Sequence, residues 1–234
     1  MQSQNIDGLD LDRIINEAII YASFSSFSEY LETIVTFSDS ERQKHIQSID
    51  EINKKIGSGK IELPDDFEQM PSALEYDYFR LESISEFENT LFTSFFVTIY
   101  FHLESELTRQ CRNLDKQNQE MLSLSDIVGS GIQKAMTYLL KVQHIEFSLG
   151  KSPEWEKIQN YNILRNCIVH NQGRLDENFE KSQREKLLKF IQRPNSKIQL
   201  KNTWCVLDKD FCLDALNTIK SFLHSVTFAK AKVR

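Results

Sequence analysis

From Ser72 to about Arg112 the chain contains neither proline nor glycine, while Leu74, Leu81, Ile84, Phe87, Leu91, Phe95, Ile99, Leu103 and Leu107 recur at helical spacing. Ser72 and Glu75 form a capping box at the start of this run. One uninterrupted helix of that length leaves little room for a sandwich or a barrel, whose many corners need turn residues. The scarcity is general, with 7 Gly and 4 Pro among 234 residues. The middle of the run, LFTSFFVTIYF, is apolar nearly all round, so neighbouring helices or a second subunit must cover most of its sides. It is too short and too interrupted by polar groups to span a bilayer. The polar, acidic opening MQSQNIDGLDLDR does not read as a signal peptide.

The rest of the sequence repeats the helical signal. Ile14, Ile15, Ala18, Ile19, Ala22, Phe27, Tyr30, Leu31 and Ile34 form a stripe over residues 9–36. Ser38 and Glu41 read as a capping box opening a second helix through Ile46, Ile49, Ile52 and Ile56, stopped by Gly57 and Gly59. A loop, GSGKIELPDDFEQMP, follows. Residues 113–122 read as polar linker, 130–147 as a shorter helix, and Ser152-Pro153 as the start of another that ends at Gly173. Residues 178–193 form a basic amphipathic helix, Ile198–Leu200 and Trp204–Leu207 a small β-hairpin, and Asp208 caps a last helix. The expected fold is all-α: a long N-terminal helical hairpin extension over 1–70, then a helical bundle over 71–234 with a small β-hairpin insert.

Charge divides the chain. Residues 1–106 carry 7 basic and 21 acidic side chains, and residues 107–234 carry 21 and 13. The densest positive stretch runs Lys181, Arg184, Lys186, Lys189, Arg193, Lys197, Lys201 against Glu185 alone. It reads either as a solvated helix face or as a phosphate-binding surface, with Lys186 and Lys189 at its centre. Cys111, Cys167, Cys205 and Cys212 form no CxxC pair and read as buried free thiols in a reducing, cytoplasmic compartment. No metal-ligand spacing and no nucleotide-binding glycine loop occurs, so neither metal nor cofactor is expected. His45, His144 and His224 read as surface residues, and His102 as a polar group at the core edge.

One segment carries chemistry, ILRNCIVHNQG, with Arg165, Asn166, His170 and Asn171 near a helix end. At 100° per residue Asn166 and His170 are about 40° apart, and Arg165 and His170 about 140° apart. A single ideal helix therefore points Arg165 and His170 differently, unless a groove shared with another element joins them. A histidine beside an arginine suits phosphodiester chemistry: one moves protons, the other holds the charge that develops on phosphorus.

This segment resembles the signature of the HEPN superfamily (higher eukaryotes and prokaryotes nucleotide-binding), an R-x4-6-H motif on a late helix of an all-α bundle. Arg165 and His170 match with four residues between them, Asn166 fills the usual Asn, and the stretch FVTIYFHLESELTRQCR is similar to the long helix of some members. The resemblance covers about residues 74–230. It implies a metal-independent endoribonuclease acting as a homodimer, in which two motifs meet in one composite cleft and the ribose 2′-OH attacks the adjacent phosphate. It further implies that Arg165, His170 and Asn166 are catalytic and that Glu104 faces the motif; Asn171 is a helix-end residue or a substrate contact. The setting it implies is antiviral defence or a toxin, and the acidic, helical residues 1–70 would suit a cognate regulatory or antitoxin protein. Gln172 stands where toxins paired with nucleotidyltransferase antitoxins carry Tyr, so this chain lacks the side chain on which that regulation acts. A catalytically silent module of the same type, binding RNA, nucleotide or a protein partner, and a plain helical scaffold remain as alternatives.

Overall fold

The computed structural model describes residues 8–59, 72–118 and 122–229. Two helices dominate it: α1, Gly8–Gly57, and α2, Ser72–Asn118. At 1.5 Å per residue each is about 70–75 Å long. They run antiparallel, because contacts descend α1 as they ascend α2. His45 meets Asp77, Phe37 meets Phe87, Phe27 meets Phe95, Phe24 meets His102 and Asn16 meets Arg109. The shorter helices are α3, Gly131–Lys141; α4, Pro153–Asn171; α5, Lys181–Ile191; and α6, Lys209–Phe228. Strands β1, Gln199–Lys201, and β2, Trp204–Val206, form an antiparallel pair between α5 and α6. The fold is thus all-α with a small β-hairpin.

The bundle gathers round the second half of α2. Phe95, Phe96, Ile99, Tyr100, Leu103 and Leu107 are wholly buried. α1 covers them through Phe24 and Phe27, α4 through Tyr161, α6 through Phe211, and α3 through the carbonyl of Ala135, which accepts from the Cys111 thiol. The all-round apolar run of α2 is therefore covered mostly by helices of its own chain, with Phe101 at its end left 43% exposed. Ile20, Phe24, Leu31 and Ile34 of α1 belong to this same core. All four cysteines are buried and free, and burial pushes the Cys111 thiol up to about 12.

The other halves of the two long helices, roughly 37–57 and 72–90, pair with each other outside that core. Ile49, Leu74 and Ile84 are buried between them. Arg42 holds Glu88 at 2.5 Å, and His45 Nδ1 donates to Asp77 at 2.7 Å. An ionised carboxylate can only accept, which assigns the proton to that ring nitrogen. The His45 hydrogen bond, aided by Ser48, draws the Asp77 carboxyl below its ordinary range.

Several local expectations are corrected. The helix does not break at Ser38, because an N-cap needs extended backbone there and α2 instead braces α1 on both sides of it through Phe87 and Glu88. Glu41 pairs with Lys44 rather than reaching back. The loop expected after Gly59 lies outside the described residues, as does the stretch 119–121, whereas 113–118 continue α2. α3 stops at Lys141 rather than near 147, because His144 takes a left-handed conformation and the chain folds back, Ile145 N–H donating to the Leu139 carbonyl. The left-handed cap of α4 is Gln172, with Gly173, also at positive φ, following it. His45 is half-buried and paired rather than a surface residue.

Candidate functional site

α4 starts where its sequence says it should. Ser152 accepts from the Trp155 N–H at 3.1 Å, and Pro153 occupies the first turn, where no amide donor is needed. Trp155, Ile158, Tyr161, Leu164 and Cys167 then face the core. Tyr161 is packing: its ring lies against Phe96 and Phe211, and its hydroxyl donates to Asp214 at 3.0 Å. Arg165, one residue beyond the buried stripe, falls at its edge on the side of α2.

There the guanidinium of Arg165 lies over the ring of Phe101, 4.6 Å from its centroid, and its Nη1 donates to Asn166 Oδ1 at 2.9 Å. Its Nε is buried without a hydrogen bond, and no carboxylate closes a salt bridge on it among the described residues. Glu104, one turn beyond Phe101, is near enough for Arg165 to pull its proton affinity down, but burial is the larger effect and raises the carboxyl above its usual range. The same neighbourhood holds Tyr100, whose hydroxyl donates to Asn162 at 3.0 Å. Burial first, and then the charge of Glu104, push that hydroxyl upward. The side chain of Glu104 lies under the first turn of α3: a Cβ on Gly131, at φ +55°, would sit 2.6 Å from Glu104 Oε1.

His170 is exposed near the end of α4, and neither hydrogen bond nor ion pair ties it to Arg165 among the described residues. Val169 beside it and Phe101 are 45% and 43% exposed, so an apolar surface borders both halves of the motif. Asn171 has a structural task. Its amide donates to the Arg174 carbonyl and to Asp176 Oδ1 at 3.2 Å, closing the turn after α4. Lys186 and Lys189 are exposed on α5, whose buried residues Leu187 and Phe190 face inward, Phe190 against Tyr161. No contact joins either lysine to the Arg165 cluster among the described residues.

The structure thus brings together Arg165, Asn166 and Glu104 and leaves His170, Asn171, Lys186 and Lys189 apart from them. Sequence reasoning missed Phe101, Tyr100 and Gly131. Phe101 and Glu104 are three residues apart on α2, so a helical reading of the aromatic run could have placed them on one face. Gly131 carried no signal, because its role depends on a side chain 27 positions away. His102 is half-buried between the rings of Phe24 and Phe27, 5.6 and 5.2 Å away, and burial lowers its proton affinity. Among the described residues no group of three or more His, Cys, Asp or Glu could hold a metal ion, and no helix is long and apolar enough to cross a membrane. No protein-family model, curated protein or solved structure matches the chain.

Proposed function

We propose that this chain is a HEPN-type, metal-independent endoribonuclease that works as a homodimer. The observation that carries this reading is the state of Arg165. Its guanidinium is held by Phe101 and Asn166 and closes no salt bridge among the described residues, while burial raises the carboxyl of nearby Glu104 above its usual range. A preorganised cation outside any salt bridge, at a half-exposed edge, is what a phosphate with developing negative charge requires. His170, exposed one turn further on and without a bonding partner among the described residues, supplies the proton chemistry. The ribose 2′-oxygen bonds to phosphorus as its proton passes to a neutral imidazole. The bond from phosphorus to the 5′-oxygen breaks, and that oxygen takes a proton from an imidazolium, leaving a cyclic phosphate and a free 5′-hydroxyl.

Arg165 and His170 of one chain point to different sides, and a twofold axis through the apolar surface of Phe101 and Val169 would set both motifs in one cleft. Four buried free thiols suit a reducing, cytoplasmic setting. An antiviral or toxin role, with a cognate regulator on the N-terminal region, follows from the resemblance. The separation of Arg165 from His170 favours the second reading, a catalytically silent module that binds RNA, nucleotide or a protein partner. Incubation of the purified protein with mixed RNA in the presence of EDTA decides between them. Expected is cleavage that leaves cyclic phosphate ends; binding without cleavage selects the silent module, and cleavage only with a divalent metal overturns the mechanism.

A further inference from the structure

A cavity of about 470 Å³ opens where α2, the turn after it and α3 meet. That is within the range of small-ligand sites, roughly 300–1,000 Å³. Thr108 and Arg112 of α2, Ser123 and Ser125 of the turn, and Lys134 of α3 line it. Two observations relate its position to the Arg165 site. Glu104, Thr108 and Arg112 are spaced by four, so they follow one stripe of α2, and Arg112 lies about 12 Å along the helix from Glu104. Gly131, which also lines the cavity, is the residue whose backbone closes over Glu104.

The charges lining the cavity, Arg112, Asp115 and Lys134, and that of Asp126 beside it, are unequal in their freedom. Asp115 accepts from the Tyr138 hydroxyl with one oxygen and from the Leu124 N–H at 3.3 Å with the other. Asp126 is held by the N–H and the hydroxyl of Ser123, which draw its carboxyl below the ordinary range, with Lys134 adding a smaller pull. The acids are therefore engaged inside the protein. Arg112 is exposed and has no carboxylate partner among the described residues, and Lys134 is half-buried at the wall. Both aspartates keep their charge but turn their oxygens to Tyr138, Leu124 and Ser123, which leaves the guanidinium of Arg112 and the ammonium of Lys134 as the charged groups at the cavity that can donate to an oxyanion.

We propose that this cavity is a phosphate subsite of the RNA path: it holds a backbone phosphate of a strand whose scissile phosphate lies at Arg165. The inference rests on the ribonuclease reading and adds to it a second anchor about 12 Å along α2. The strand would run beside α2 from Phe101 to Arg112, and substrates of several nucleotides would be favoured over a dinucleotide, which cannot span both points.

The test measures binding of a labelled single-stranded RNA oligonucleotide to His170→Ala protein, with and without Arg112→Ala and Lys134→Ala together, across a salt series. For single strands the logarithmic salt slope changes by about 0.7 per phosphate contact, so losing the one phosphate held by the pair should flatten it by about 0.7 and weaken binding at low salt by roughly tenfold. Arg112→Lys with Lys134→Arg should keep most of the slope, which separates lost charge from lost fold. In the protein with His170 intact, dinucleotide cleavage should be equal with and without the pair of alanines. An unchanged slope and affinity for the longer strand overturns the subsite alone. If the parent protein binds no RNA, the ribonuclease reading falls and the subsite with it.

Discussion

The two ends of the long α1/α2 hairpin are held together differently. In the bundle half, Phe96 is fully buried against Tyr100, Tyr161 and Phe211, and four other helices cover α2. In the arm, among the described residues, α1 and α2 pack mainly on each other, with Asn89 at its base accepting from the Leu207 N–H at 3.1 Å. There the apolar contact reduces to a few residues such as Ile49, Leu74 and Ile84, and the register is set by polar pairs, Arg42 with Glu88 and His45 with Asp77. Tyr76 and Phe79 remain more than half exposed along it, and Phe87 nearly half. Aromatic packing on all sides gives a rigid support on which Arg165 can be held; a two-helix arm gives none. The Arg165 cluster sits against the deepest packing, and the arm is the part of the molecule suited to opening locally.

The largest effect that sharpens this contrast is in the bundle. Phe96→Ala removes a ring from the centre of the core and should lower global stability by about 3–5 kcal/mol, read by denaturant unfolding. Ile49→Ala in the arm should cost about 2 kcal/mol, at the low end for such a change, because solvent and neighbouring side chains can fill the space. Hydrogen exchange should show that loss confined to 37–57 and 72–90. A global loss as large as that of Phe96→Ala would mean that the arm is part of one cooperative unit.

Next in size is Gly131→Ala. It forces a side chain onto a φ of +55° and against Glu104, so about 1–2 kcal/mol of stability should go, and RNA cleavage should fall further than stability explains. An unaltered cleavage rate would detach Glu104 from the site.

A smaller effect is the pH response of the arm. The folded Asp77 carboxyl lies below its ordinary range, so its contribution is present above the unfolded value and is lost as pH falls through the folded one. Exchange over 72–80 should accelerate in acid before exchange over 95–107 does. Asp77→Asn should abolish that early phase; equal acid sensitivity of both stretches would contradict the assignment.

How far the sequence was legible follows the same division. Signals local to a helix end were readable: Ser152-Pro153 starts α4, Asp208 accepts from the Phe211 N–H at 2.9 Å, and the Lys201–Trp204 turn closes the hairpin. The Ser38–Glu41 pattern misled because a capping box is a local preference, and pairing along α2 overrides it. His45 looked solitary because its partner lies 32 positions away on another helix. At the site, the motif names Arg165, Asn166 and His170, but the perch of Arg165 on Phe101 and the closure of Gly131 over Glu104 exist only once three helices have met.

Two histidines make the most direct measurement. His45 is half-buried and bonded to Asp77 in the arm; His170 in the bundle is exposed and has no bonding partner among the described residues. RNA cleavage in EDTA is measured for His45→Ala and His170→Ala, with circular dichroism to monitor folding. Expected for His170→Ala is an unaltered fold and a loss of cleavage of at least about 10²-fold; expected for His45→Ala is a loosened arm with cleavage largely kept. Cleavage that survives in His170→Ala would contradict the assignment of the site.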